Sequence, residues 1–150
     1  MAEISVSQEG TVNAPADKVY EYLRDMHQHP KFLPPQFSDF KIESGGVGAG
    51  TVTTFTINAG GRSRQFRMTV AEPEPGRVMT ESDANSTMVT RFTVAPRGGD
   101  ASLVTIASTW QGAGGVGGFF ERMFAPRATR SMYADELRRL DEYARQQQGS

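Results

Sequence analysis

The sequence predicts an α+β fold, in which a curved antiparallel sheet of seven strands is closed by one long C-terminal helix, with two short helices after the first strand. Three observations predict it. From Phe37 to Gln111 apolar residues recur at every second position, the period of a strand. The runs are separated by short clusters of turn residues, whereas a parallel crossover needs about a dozen residues or more. After Gln111 a glycine-rich stretch, Gly112–Gly118, runs into a helical pattern from Phe119 to about Gln147.

The elements follow in order. At the start of Glu3–Val12, Ile4 and Val6 alternate with Ser5 and Ser7, which reads as a strand. Asn13-Ala14-Pro15 breaks it. Proline suits a first helical turn, and Asp17 sits well at a positive helix N-terminus. Val19, Leu23 and Met26 then make a helical stripe that must stop before Pro30, and His29–Pro35 has room for one further short turn. Six strands are expected next, at Phe37–Glu43, Thr51–Ala59, Ser63–Glu72, Arg77–Asp83, Thr87–Ala95 and Ser102–Gln111. Glycine, proline, asparagine and aspartate punctuate them. Phe66, Met68 and Val70 form one apolar face. Met88, Thr90, Phe92 and Val94 form a second, and Val104, Ile106, Ser108 and Trp110 a third. The facing of Thr51–Ala59 and Arg77–Asp83 stays open.

The last helix carries Phe119, Met123, Tyr133, Leu137, Leu140 and Ala144 near one side, with Asp135–Arg139 and Asp141–Arg145 as ion pairs on the wet side. Unbroken, it would span about 43 Å at roughly 1.5 Å per residue. Pro126 lies inside it and predicts a kink or break. It is the one element long enough to cover a sheet face, and a strongly curved sheet gripping it leaves space between the two unless large side chains fill it.

A chain of 150 residues reads as one domain over 1–150, able to bury a core without staples, and it has no cysteine. The net charge of −1, with both signs dispersed, argues against a partner bound by phosphate neutralisation. No apolar run reaches membrane-spanning length and no signal-peptide pattern opens the chain, so a cytoplasmic location is expected. Without that signal, Asn85-Ser86-Thr87 is a turn and not a glycosylation site.

The chain resembles the SRPBCC or START-like superfamily, which has the helix-grip fold, over nearly its whole length. The resemblance rests on Val12-Asn13-Ala14-Pro15-Ala16-Asp17-Lys18-Val19-Tyr20-Glu21-Tyr22-Leu23 after the first strand and on Gly48-Ala49-Gly50-Thr51 opening a strand. It rests also on Ala71-Glu72-Pro73-Glu74-Pro75-Gly76-Arg77 between strands and on the glycine-rich stretch Gly112–Gly118 before the closing helix. Its look is closest to the polyketide cyclase/dehydrase and lipid-transport branch. The resemblance implies a fold and an apolar cavity, not a reaction.

Gly112-Ala113-Gly114-Gly115-Val116-Gly117 matches the dinucleotide fingerprint G-x-G-x-x-G. That fingerprint needs a second parallel strand with an acid at its end, and here the chain ends with the helix, so the stretch reads as a hinge. His27 and His29 are the two histidines and form Asp25-x-His27-x-His29, but no third histidine or cysteine completes a zinc site, and no cofactor is implied. They read as polar residues at a helix end, with His27 at the cavity mouth a candidate acid or base. Arg62, Arg64 and Arg67 around Phe66 read as a solvated face.

Ligand-binding candidates are Phe32, Leu33, Phe66, Met68, Met88, Thr90, Phe92, Ser108, Trp110, Phe119, Met123 and Tyr133. Among these, Tyr133, Thr90 and Ser108 are the polar groups expected to point inward, with Glu81 added if its strand faces that way. Three functions fit: a binder of a small hydrophobic ligand (lipid, polyketide or isoprenoid-like), a cyclase or dehydratase with Tyr133 and His27 as its acid–base candidates, and a protein-interaction module. The chain is expected as a monomer or homodimer.

Overall fold

The computed structural model describes residues 3–111 and 125–148. Strand β1 (Glu3–Val12) leads into helix α1 (Ala16–Arg24) and a 3-10 turn, η1 (His29–Phe32). Strands β2 (Phe37–Ser44), β3 (Val52–Ala59), β4 (Arg62–Glu74), β5 (Val78–Asp83), β6 (Val89–Pro96) and β7 (Ser102–Gln111) follow, and α2 (Pro126–Gln148) closes the described chain. The seven strands form one sheet in the order β1-β7-β6-β5-β4-β3-β2. Every pairing is antiparallel, as the short connections require.

The alternation fixes which face is inward. Met88, Phe92 and Val94 are buried, as are Phe66, Met68 and Val70 on β4 and Val104, Ile106 and Trp110 on β7. The two strands whose facing was open are now resolved. β3 turns Thr53, Phe55 and Ile57 inward. In β5, Met79 pairs with Phe92 and Glu81 with Thr90, which puts Glu81 on the inward face. β2 is an edge strand with register shifts on either side of Lys41 and Ile42, and Asp39 takes a φ of 54°. Such bulges bend a strand and raise its twist, which suits a sheet that must wrap.

α1 buries Val19, Tyr20 and Leu23, and Met26 is buried just beyond it. The helix ends at Arg24, well before Pro30, which instead opens η1. On α2, Tyr133, Leu137, Leu140 and Ala144 are buried. On its wet side Arg139 Nε lies 3.0 Å from Asp135 and Arg145 Nη2 lies 3.1 Å from Asp141. Pro126 is the first residue of the described helix and Ala125 is not helical, while the Ala125 carbonyl accepts a bond from Thr129 N at 2.9 Å. The break expected at proline thus falls where a missing N–H has no partner to lose. The glycine-rich stretch, Phe119 and Met123 lie outside the described residues. No described helix is long and apolar enough to cross a membrane.

Candidate functional site

Between the inward face of the sheet and α2 lies a small space of about 30 Å³. A buried water needs roughly 10–15 Å³, so about two fit. Aromatic rings from β2, β3 and β6 (Phe37, Phe40, Phe55, Phe92) and the thioethers of Met68, Met88 and Met132 supply its apolar wall. Phe55 stands at the centre of the aromatic part, with ring centroids 5.2 Å from Phe37 and 6.1 Å from Phe40. At the other end the wall is polar and carries His29, Glu81, Thr90, Tyr133 and Glu136.

Each polar group is set by its element. η1 is docked on α2: Tyr143 donates to Gln28 Oε1 at 2.8 Å, and the Phe32 and Tyr143 rings lie 5.7 Å apart. That docking buries His29, which is 3% exposed. Its Nδ1 lies 2.8 Å from the Leu23 carbonyl. A carbonyl only accepts, so Nδ1 carries the proton and Nε2 faces Glu136 Oε2 at 3.4 Å. The ring packs between Phe32 and Phe92, at centroid distances of 4.9 and 5.5 Å. Burial alone would lower the imidazole pKa, but Glu136, the nearby charge of Glu81 and the Leu23 carbonyl outweigh it, and the pKa is raised.

Glu136 comes from α2, three positions after Tyr133 and on the same face. It is 3% exposed, and its Oε2 accepts no hydrogen bond from the described residues. Glu81 is pushed up to about 6, chiefly by burial, with His29 opposing and Glu136 adding to the rise. The Tyr133 hydroxyl is hydrogen-bonded to Ser108 Oγ, which lies 2.7 Å from Thr90 Oγ1. Burial raises its pKa to about 12, so it stays protonated and can act as a hydrogen-bond donor.

Of the ligand-binding candidates, Leu33, Met68, Met88, Thr90, Phe92 and Tyr133 line this space. Phe32, Phe66, Ser108 and Trp110 are buried but stand behind the lining, as supports: Phe32 under His29, Phe66 against Phe55 at 5.6 Å, Ser108 between Thr90 and Tyr133. Phe119 and Met123 lie outside the described residues.

The two histidines part company. His27 has a side chain 65% exposed and lies 2.9 Å from Asp25, away from the space. Reading both as polar residues at a helix end is therefore corrected for His29, because the docking of η1 on α2 is a tertiary contact. The solvated reading of the arginines is corrected in part. Arg67 is exposed and meets Glu43 at 2.9 Å, whereas Arg64 shares the inward phase of Phe66. The Arg64 side chain is largely buried, 2.9 Å from Asp83 and with its guanidinium carbon 4.7 Å from the Phe66 ring centroid. Among the described residues no group of three or more His, Cys, Asp or Glu is placed to hold a metal ion. Glu136 went unremarked in the sequence although its signal was present: it is a charged residue inside the apolar stripe from Tyr133 to Ala144.

The sequence profile of the polyketide cyclase/dehydrase and lipid transport family matches residues 3–145. The KanY protein, solved in solution by NMR, is 35% identical with a TM-score of 0.84, covering 97% of this chain and 99% of that one. The ZhuI aromatase/cyclase from Streptomyces sp. R1128 is 18% identical with a TM-score of 0.70, covering 96% and 94%. A START superfamily protein from Mycobacterium smegmatis is 16% identical with a TM-score of 0.73, covering 95% and 97%. Those two likenesses bear on the fold alone. A comparison with curated proteins gives no match.

Proposed function

We propose, from the premise that the chain belongs to the polyketide cyclase/dehydrase and lipid-transport family of the START-like (SRPBCC) superfamily, that it holds a small, largely apolar ligand between the sheet and α2. The observation that carries this is the two-ended space: aromatic and thioether side chains at one end, ionisable groups at the other. An apolar wall with a few convergent polar groups is the usual make-up of a small-molecule site. The space has room for about two waters, so a larger ligand is accommodated by displacing side chains. Methionines 68, 88 and 132 are suited to that, being unbranched and able to repack.

A panel of fatty acids, polyketide-like aromatics and isoprenoid alcohols, read by native mass spectrometry and by the methyl resonances of those methionines, tests the reading. Binding with methyl shifts at Met68, Met88 and Met132 is expected. Failure of every member to bind would remove it.

A second reading is favoured by Glu81, held at about 6 by burial, with His29 on the same wall. In this reading Glu81 takes a proton from a carbon next to a carbonyl, Tyr133 donates a hydrogen bond to the oxygen that gains charge, and protonated His29, held by Leu23, delivers a proton from Nε2 to the substrate, after which the proton on Glu81 passes to His29 and restores both groups. The catalytic candidates are then Glu81, Tyr133 and His29, not His27. Slow deuterium exchange into a bound ketone that persists in E81Q would exclude Glu81 as the base.

A further inference from the structure

We propose that the polar end of this space takes a protonated primary or secondary amine carried on a compact apolar body. The inference rests on the reading that the space holds a ligand, and it names the class.

The argument is a count of protons. Among the described residues two carboxyl groups, Glu81 and Glu136, face the space, and no described Lys or Arg lines it. The one basic group among the described lining residues is His29. One of its ring nitrogens donates to the Leu23 carbonyl at 2.8 Å, so at most Nε2 remains for the carboxylates. The three hydroxyls nearby are turned on one another, Tyr133 to Ser108 and Ser108 to Thr90. Glu136 is only 3% exposed, and its Oε2 has His29 Nε2 at 3.4 Å but accepts no well-formed hydrogen bond from a described residue. Two carboxyl groups thus face one imidazole among the described lining residues.

An unmatched acceptor in so dry a place is costly, and the cost falls when a donor arrives. Water brings donors but no charge. An anionic ligand would meet two carboxylates. A protonated amine brings both a positive charge and two or three N–H donors. The walls agree with the apolar body, since aromatic and thioether side chains make up the rest of the lining. An ammonium head is about water-sized and fits the existing room, while the body takes the place of the methionine side chains.

The test uses phenethylamine, phenethyl alcohol and phenylacetate, which share a body and differ in charge. Each is titrated into the protein near neutral pH, with the methionine methyl resonances reporting where it binds. The amine is expected to bind at least about tenfold tighter than the alcohol, and phenylacetate weakest. E136Q and E81Q are each expected to bring the amine's affinity to within about twofold of the alcohol's, both measured on the same variant. If E136Q fails to fold, E81Q carries the comparison.

Equal binding of amine and alcohol would overturn the inference and leave the ligand-binding reading standing. Amine binding without methyl shifts would also overturn it, by placing the amine on the surface. Failure of all three probes to bind, together with the negative ligand panel above, would remove both.

Discussion

Glu81 shows how much a single residue's role depends on its strand's phase. Facing solvent it would be an ordinary acid. Facing inward beside Thr90 it is held at about 6 by burial. A folded-state pKa above the usual 4.5 means the folded protein resists ionising this group, so its contribution to stability is present at low pH and is lost as pH rises through about 6. E81Q removes that cost. Near pH 7 the variant should be more stable by about 1–2 kcal/mol in urea unfolding. A destabilised E81Q at neutral pH would mean the carboxylate is structurally satisfied. The phase of β5 was not legible in the sequence for a physical reason. Thr80 and Ser82 on one face and Glu81 and Asp83 on the other are equally polar, so alternation carries no information there. His29 was hidden differently, since its burial depends on Tyr143 and Phe32, over a hundred positions apart in the chain.

Among the elements, the two that hold α1 and α2 in place were partly readable. Gly48 was noticed as part of a motif, and the structure supplies its reason. Its φ is +75°, and an added Cβ would fall on Arg24 Nη2 and lie 2.7 Å from Glu72 Oε2. That pair is the hub of the outer layer: Glu72 accepts from Tyr20 at 2.8 Å, from Arg24 Nε at 2.9 Å and from Ala49 N at 2.9 Å. G48A therefore combines a left-handed backbone with a broken ion pair, and a loss of about 2–4 kcal/mol is expected in denaturant titration. On α2, Leu140 is 1% exposed, and L140A should cost about 2–5 kcal/mol by leaving a cavity. A cost below about 1 kcal/mol would mean that α2 is not anchored through this face. The apolar stripe of α2 and its ion pairs could be read in advance because helical periodicity is local. Its neighbours could not.

For the whole molecule, stability should peak in mildly acidic solution. Arg24 and two further donors hold the Glu72 carboxyl down at about 2, so its contribution is complete above about 4.5 and drains away as pH falls towards 2. Glu81 works the other way, its contribution fading as pH rises from 4.5 through about 6. His29, raised above 6.5 despite its burial, contributes fully below 6.5 and loses that contribution as pH rises through its folded value. Urea midpoints across pH should therefore be highest at about pH 5. E72Q should flatten the acid limb and E81Q the neutral one. A profile unchanged by either would remove these groups as its cause. At this scale the sequence was most legible, because strand period, turn residues and one long helix each point to the same architecture.

The sheet order also sets a schedule for synthesis. The first strand finds its sole partner in β7, so Glu3 waits for Gln111 to be made, and α2, which packs on β1, comes later still. At roughly 5–20 residues per second on the ribosome, a nascent chain carries an unmatched strand for several seconds before it can close. Strands β2 to β7 pair with their sequence neighbours as they emerge. Chaperone dependence and aggregation of stalled chains should thus track residues 3–12 more closely than any later strand.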